Sequence, residues 1–182
     1  MQNSETRIII AGFGGQGVVL AGTLIAQACM SENKNVTMMV SYGAEMRGGT
    51  ANSTLVVSDV EITGPHFDHP DVGVIMNRPS MDRFEPSIAA GGWIIVNTSL
   101  CDRPPARTDV RIARIDATGI AHRLGNVRVA NLVALGAFLR ATSLLPQQSL
   151  IDAVRDTFAR KGPDLVAINT KALCAGAEAV QL

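Results

Sequence analysis

The chain has 182 residues, 47% hydrophobic and 18% charged, with 16 basic and 16 acidic side chains and a formal net charge of zero. That length suits a single domain over 1–182 with a full core, and without a basic run nucleic acid is set aside as a partner. No apolar stretch approaches the roughly 18 residues that span a bilayer, and the polar opening 1–5 lacks a signal-peptide core, so a cytoplasmic protein is expected with no membrane partner.

Residues 6–11 read as a short buried strand, with Ile8, Ile9 and Ile10 in succession. A glycine-rich turn follows at 12–17, then a helical pattern over 18–30 and a second strand at 36–40. Strand, glycine turn, helix and strand in this order form the opening βαβ unit of a doubly wound fold. Residues 41–52 are polar and glycine-rich and read as a loop. Further strands are expected at 53–58, 72–76, 93–96 and 110–115, the last as an edge, with a short helix at 80–89. Pro104 and Pro105 mark 101–107 as an exposed loop. The C-terminal part is helical: 129–141, apolar on most faces and therefore buried, then 147–160 after Pro146 and 163–180 opened by Pro163. The fold class expected is α/β, a Rossmann-like open, mostly parallel sheet with helices on both faces.

Cys29, Cys101 and Cys174 are far apart and form no CxxC pair. Neither an iron–sulfur cluster nor structural zinc is expected on this chain alone. His66 and His69 fall in a proline-flanked loop, and with His122 they match no zinc-protease pattern.

Two segments carry the chemistry. Gly12-Phe13-Gly14-Gly15-Gln16-Gly17 fits GxGxxG after a strand and before a helix, where backbone N–H groups and the helix dipole favour a phosphate. A dinucleotide reading needs an acid at the end of the second strand. The stretch Thr37-Met38-Met39-Val40-Ser41-Tyr42 has none, and Glu45 comes late. The glycines also suit plain helix–strand packing. The second segment, Ser41 to Asn52, holds Tyr42, Glu45, Arg47, Gly48 and Gly49. Both segments leave carboxyl ends of strands and can converge. Arg47 suits an anion or a partner backbone, or a weak surface pair with Glu45. Asn131 and Asn169 lie in apolar helices and read as satisfied structural amides.

The runs AGFGGQGV, SYGAEMRGGTAN and STLVVSD are similar to the gamma subunits of the 2-oxoacid:ferredoxin oxidoreductases. The resemblance continues at Asn126-Val127-Arg128-Val129-Ala130-Asn131-Leu132-Val133-Ala134-Leu135-Gly136. It recurs at Lys161-Gly162-Pro163, at Asn169-Thr170-Lys171-Ala172 and at Gly176. Ala44 stands where relatives often carry proline.

The resemblance implies oxidative decarboxylation of a 2-oxoacid, with 2-oxoglutarate first, to an acyl-CoA and CO2, with ferredoxin as electron acceptor. It implies thiamine diphosphate, Mg2+ and 4Fe–4S clusters held by alpha, beta and delta (ferredoxin-like) subunits, and coenzyme A as co-substrate. On this chain it implies no catalytic residue and no metal ligand. Gly12, Gly14, Gly15, Gln16, Gly17, Tyr42, Arg47, Gly48 and Gly49 are the expected ligand or interface contacts, and the isolated chain is expected to be inactive. The alternatives are a stand-alone NAD(P)-binding oxidoreductase and a purely structural subunit.

Overall fold

Ile8, Ile9 and Ile10 point alternately to opposite faces of their strand, yet all three are buried, so the strand lies inside a sheet covered on both sides. The computed structural model describes residues 5–43 and 50–182. In it this strand, β1 (Thr6–Phe13), belongs to a six-stranded sheet of order β2-β3-β1-β4-β5-β6. The others are β2 (Asn35–Tyr42), β3 (Thr50–Ser58), β4 (Val72–Ile75), β5 (Trp93–Asn97) and β6 (Arg111–Ile115). β1, β4, β5 and β6 run parallel, while β3 is antiparallel to both β1 and β2. The helices are α1 (Val18–Ser31), α2 (Arg78–Phe84), α3 (Ala117–Arg123), α4 (Ala130–Thr142), α5 (Gln147–Phe158) and α6 (Pro163–Ala179).

The opening βαβ unit is not the simple crossover expected. β3 lies between β1 and β2, pairing Ile9 with Thr54 on one side and Met39 with Thr54 on the other. The reason is local. β2 and β3 are close in sequence and pair as a hairpin, which places β3 beside β1. The expected loop over 41–52 shrinks accordingly. Ser41 and Tyr42 belong to β2, and Thr50, Ala51 and Asn52 to β3. The polar start of β3 is buried because its neighbours serve it. The Ser53 hydroxyl donates to Val18 O at 3.1 Å, where Gly22 on α1 leaves room for Ser53 and Met38.

One face of the sheet, carrying Ile8 and Ile10, packs under α1, α4 and α5, and this core continues into α3 and α6. The other face, carrying Ile9 and Ala11, is covered by Met81 of α2 and by Ile88 and Cys101. α4 is buried without interruption from Ala130 to Leu139, as its apolar run foretold. It meets α6 backbone to backbone: a Cβ at Gly136 would strike Leu173 O, and one at Gly176 would strike Val133 O.

The loop over 101–107 is pinned rather than free. Glu85 is buried, in a 3-10 turn after α2. Its carboxylate accepts from Arg103 Nη1 at 2.8 Å, from Arg107 N at 3.0 Å and from Ala106 N. Cys101 and Pro105 are buried with it.

The two sheet edges differ. β6 is closed by the chain itself, Arg114 exchanging backbone hydrogen bonds of 2.8 and 3.0 Å with Gln181. Among the described residues β2 has no strand on its outer side. Among the described residues no helix is long and apolar enough to cross a membrane.

Candidate functional site

In an open α/β sheet the ligand crevice lies at the carboxyl ends of the strands, where successive connections leave in opposite directions. Here that point is between β1 and β4, since the chain leaves β1 toward β2 and leaves β4 toward β5. A cleft of about 200 Å³ opens there. Its wall is Gly15 and Gln16 after β1, Met76 after β4, Leu100 after β5 and Thr118 in α3. Val127, Arg128 and Ala130 close it at the start of α4.

The glycine turn is built for this place. Gly15 and Gly17 have φ of 93° and 72°, which side chains with a Cβ resist. A Cβ at Gly17 would lie 2.5 Å from the Asn131 amide, while one at Gly15 would face open space. Gly17 caps α1 with no side-chain hydrogen bond and no acid in the first turn. α1 therefore brings an N-terminus with unsatisfied N–H groups toward the cleft. α4 differs, continuing from a 3-10 turn, Val127–Val129, that Asn126 caps by accepting from Arg128 N at 3.1 Å. Arg128 adds an exposed guanidinium for which, among the described residues, no ion pair is found. The cleft suits an anion such as a phosphate.

Behind its wall lies a set of neutral amides. Gln16 Oε1 accepts from Phe13 N at 2.6 Å and from Asn77 Nδ2 at 2.9 Å, so only the Gln16 Nε2 end has capacity to spare. Asn77 Oδ1 also caps α2 through Ser80 N at 3.0 Å. Asn97 donates to Met76 O at 3.1 Å and to Thr118 Oγ1 at 3.0 Å, and accepts from Ala117 N at 3.1 Å. Both asparagines are 1% exposed. They tie the ends of β1, β4 and β5 and the start of α3 into one piece. Asn97→Ala would strand several buried groups, and we expect a loss of about 2 kcal/mol, read as a lower urea midpoint; a midpoint equal to the parent's would refute this.

Of the residues expected from sequence, Gly15 and Gln16 line the cleft. Gly12 lies behind it, where a Cβ would be 2.6 Å from Gln16 Oε1. Gly14 is exposed in the turn, and Gly17 caps α1. Tyr42 is 69% exposed at the end of β2 and is not part of the wall. β3 separates it from β1, by about 10 Å for two strand spacings. Arg47, Gly48 and Gly49, with Glu45, lie outside the described residues. Asn77, Asn97, Thr118 and Arg128 were not singled out by sequence. Asn169 is satisfied through Leu165 O at 2.7 Å. Asn131 is only half satisfied: Nδ2 donates to Gly17 O at 3.0 Å, but its buried Oδ1 has no partner.

The same topology argues against a dinucleotide. The strand beside β1 is β3, which begins at this end with Thr50, so among the described residues no acid stands where a ribose would need one. Cluster ligation also fits poorly. Cys29 and Cys101 are buried in different cores, and burial pushes their thiols up to about 12 and about 11. Among the described residues no group of three His, Cys, Asp or Glu could hold a metal ion.

Comparison with known proteins gives a consistent result. The family model described as pyruvate ferredoxin/flavodoxin oxidoreductase matches residues 7–179. The chain is 38% identical over 175 residues to ketoisovalerate oxidoreductase subunit VorA of Methanothermobacter marburgensis, covering 96% of this chain and 36% of the relative's length. It is 36% identical to 2-oxoglutarate synthase subunit KorC of Methanocaldococcus jannaschii, covering 82% of each. Its fold matches 2-oxoglutarate:ferredoxin oxidoreductase from Magnetococcus marinus, solved with 2-oxoglutarate, coenzyme A and succinyl-CoA bound, at a TM-score of 0.89 and 24% identity over 98% of this chain and 31% of that one. The chain belongs to the pyruvate ferredoxin/flavodoxin oxidoreductase family.

Proposed function

We propose that this chain is the gamma-type component of a 2-oxoacid:ferredoxin oxidoreductase, folded as one domain and working in the cytoplasm. The cleft between β1 and β4 takes a phosphate-bearing part of coenzyme A. The observation that carries this reading is the convergence of the uncapped α1 N-terminus and the exposed Arg128 on one cleft at the switch point. At about 200 Å³ the cleft is smaller than the ~300–1,000 Å³ pockets that enclose a drug-sized ligand. It holds one end of a long molecule and leaves the thiol to reach elsewhere. Coenzyme A supplies the thiol that accepts the acyl group. The residues of this chain bind and orient the molecule, and none of them moves a proton at the reacting carbon. Thiamine diphosphate, Mg2+ and iron–sulfur clusters belong to the alpha, beta and ferredoxin-like components, and ferredoxin takes the electrons.

We assign 2-oxoglutarate as the substrate, supported by the match to KorC over most of its length. The similarity to VorA supports a second reading, ketoisovalerate. The test is steady-state kinetics of the assembled enzyme with each 2-oxoacid and a viologen acceptor. Arg128→Ala is expected to raise KM for coenzyme A about tenfold or more, the worth of one charge-assisted hydrogen bond, with KM for the 2-oxoacid unchanged. Arg128→Lys should recover part of the loss. An unchanged KM for coenzyme A in Arg128→Ala would remove the cleft from the coenzyme site, and reduction of NAD by the chain alone would overturn the family role.

A further inference from the structure

A second pocket, of about 220 Å³, opens at the carboxyl ends of β5 and β6. α3 stands between it and the cleft, giving Thr118 to the cleft and Asp116, Ile120 and Arg123 to the pocket. Thr98 after β5, Arg114 of β6 and Gln181 after α6 complete its polar wall. Backbone bonds fix that wall. Thr98 N donates to Ile115 O at 2.9 Å, and Arg114 and Gln181 exchange bonds of 2.8 and 3.0 Å. Ile115 and Ile120, which also line the pocket, are buried. An apolar backing of this kind strengthens the attraction between charges set against it.

The charges in this pocket do not cancel. Asp116 is engaged on both oxygens. Its Oδ1 accepts from the Ser99 hydroxyl and from Gly119 N at 3.1 Å, and its Oδ2 accepts from Arg123 Nη1 at 3.2 Å. Among the described residues that contact is the one ion pair found for Arg123, so most of its five N–H donors are free. Arg114 is exposed, and among the described residues no side-chain hydrogen bond or ion pair is found for it. Two guanidinium groups against one carboxylate leave a positive charge in excess. The Thr98 hydroxyl and the Gln181 amide add neutral donors. One guanidinium fork fills a carboxylate, whereas a phosphate has oxygens enough for two forks and further donors.

We propose that this pocket is a second anion site, distinct from the cleft, which takes a phosphate group between Arg114 and Arg123 with Thr98 and Gln181 as supporting donors. Asp116 is a positioning residue there. It holds the Arg123 guanidinium in place and does not itself touch the anion. The phosphate is a free ion or the phosphate of a small phosphorylated molecule other than the one in the cleft.

The experiment titrates the full chain with inorganic phosphate at constant ionic strength and follows backbone amide shifts by NMR, which reads the two sites separately. Thr98, Arg123 and Gln181 report the pocket, and Gly15 and Gln16 report the cleft. The pocket amides are expected to shift along one saturating curve. Arg114→Gln and Arg123→Gln should each weaken that binding about tenfold, the worth of one charge-assisted hydrogen bond, while Arg128→Gln leaves it unchanged. Glycerol 3-phosphate should move the same amides, and the tighter of the two probes tells a free ion from a phosphate ester. Saturating coenzyme A should leave the phosphate in the pocket. Displacement would make the pocket part of the coenzyme's own footprint and overturn its independence. Shifts that never saturate, or that sodium chloride reproduces, would overturn the site itself, as would undiminished binding to both glutamine variants. If coenzyme A fails to move Gly15 and Gln16 while phosphate moves the pocket amides, the coenzyme reading fails and the second site stands. Because the curve is read first on the unaltered chain, a variant that does not fold leaves the test intact.

Discussion

Gly176→Val is expected to lower the unfolding free energy by about 4 kcal/mol, at the upper end of what overpacking costs. The cause is the crossing of α4 and α6. The first side-chain carbon at position 176 would meet Val133 O, with Val133 C at 2.7 Å and Cα at 2.9 Å. These are backbone atoms of a buried helix, and they cannot swing aside as a flexible side chain would. The contact is reciprocal, since Gly136 lies against Leu173 O and Ala177 N. Relief requires the helices to separate, and that loosens the core around Phe138 and Leu173 that both helices share. For a chain of this size each kcal/mol shifts the melting temperature by about 2–4 °C. Calorimetry should therefore show a fall of roughly 8–16 °C. A variant melting within about 2 °C of the parent would show that the helices do not touch as described.

Glu85→Ala is expected to cost about 2 kcal/mol, as loss of the acceptor of two backbone amides and one guanidinium does. It would leave the amides of Ala106 and Arg107 without their acceptor and Arg103 with Asp82 as its remaining carboxylate partner. The leg 101–107 would come away from α2, and with it Leu100 beside the cleft. Glu85→Gln separates the charge from the shape. Burial by itself would raise the Glu85 carboxyl, but the Arg103 guanidinium and the Arg107 and Ala106 N–H groups outweigh it and hold the group below the usual carboxylate range. A depressed folded-state pKa stabilises fully above the unfolded value of about 4.3 and is lost as pH falls through the lower folded value. The parent should therefore lose more melting temperature between neutral pH and about pH 3 than Glu85→Gln does. Identical acid profiles for the two proteins would sink this account.

What could be read from sequence was what repeats along the chain. The run from Ala130 to Leu139 is apolar on every face, and only burial on all sides explains such a helix. Gly136 and Gly176 were noted as part of a family likeness, and their reason became visible only when the helices met. The place of β3 could not be read, because whether β2 pairs with β1 or with β3 is decided by partners distant in sequence. Its polar opening, Thr50 to Ser53, also looks like loop until Val18 O is seen to receive the Ser53 hydroxyl. At the cleft, the glycine turn announced itself by spacing. Asn77 and Asn97 did not, since a single amide after a strand carries no periodic signal. Arg128 gained its meaning from the approach of α4 to the β1 turn, a contact between residues more than a hundred positions apart. Gln16 stood out beside three glycines, but its carbonyl oxygen serves Phe13 and Asn77, which leaves it less able to serve a ligand.

The amide set behind the cleft wall contains no charged group. Gln16, Asn77, Asn97 and Thr118 hold one another by neutral hydrogen bonds. The chain of charges from Arg78 through Asp82 to Arg103 lies outside it, on the surface side of α2. Dissolved salt screens exposed charges over about 8–10 Å and leaves buried neutral dipoles almost untouched. Rising ionic strength therefore loosens the outer clasp while the cleft keeps its shape. A salt titration of anion binding would then report the charge on the anion, on Arg128 and on the α1 N-terminus, with no contribution from the neutral amides behind the wall.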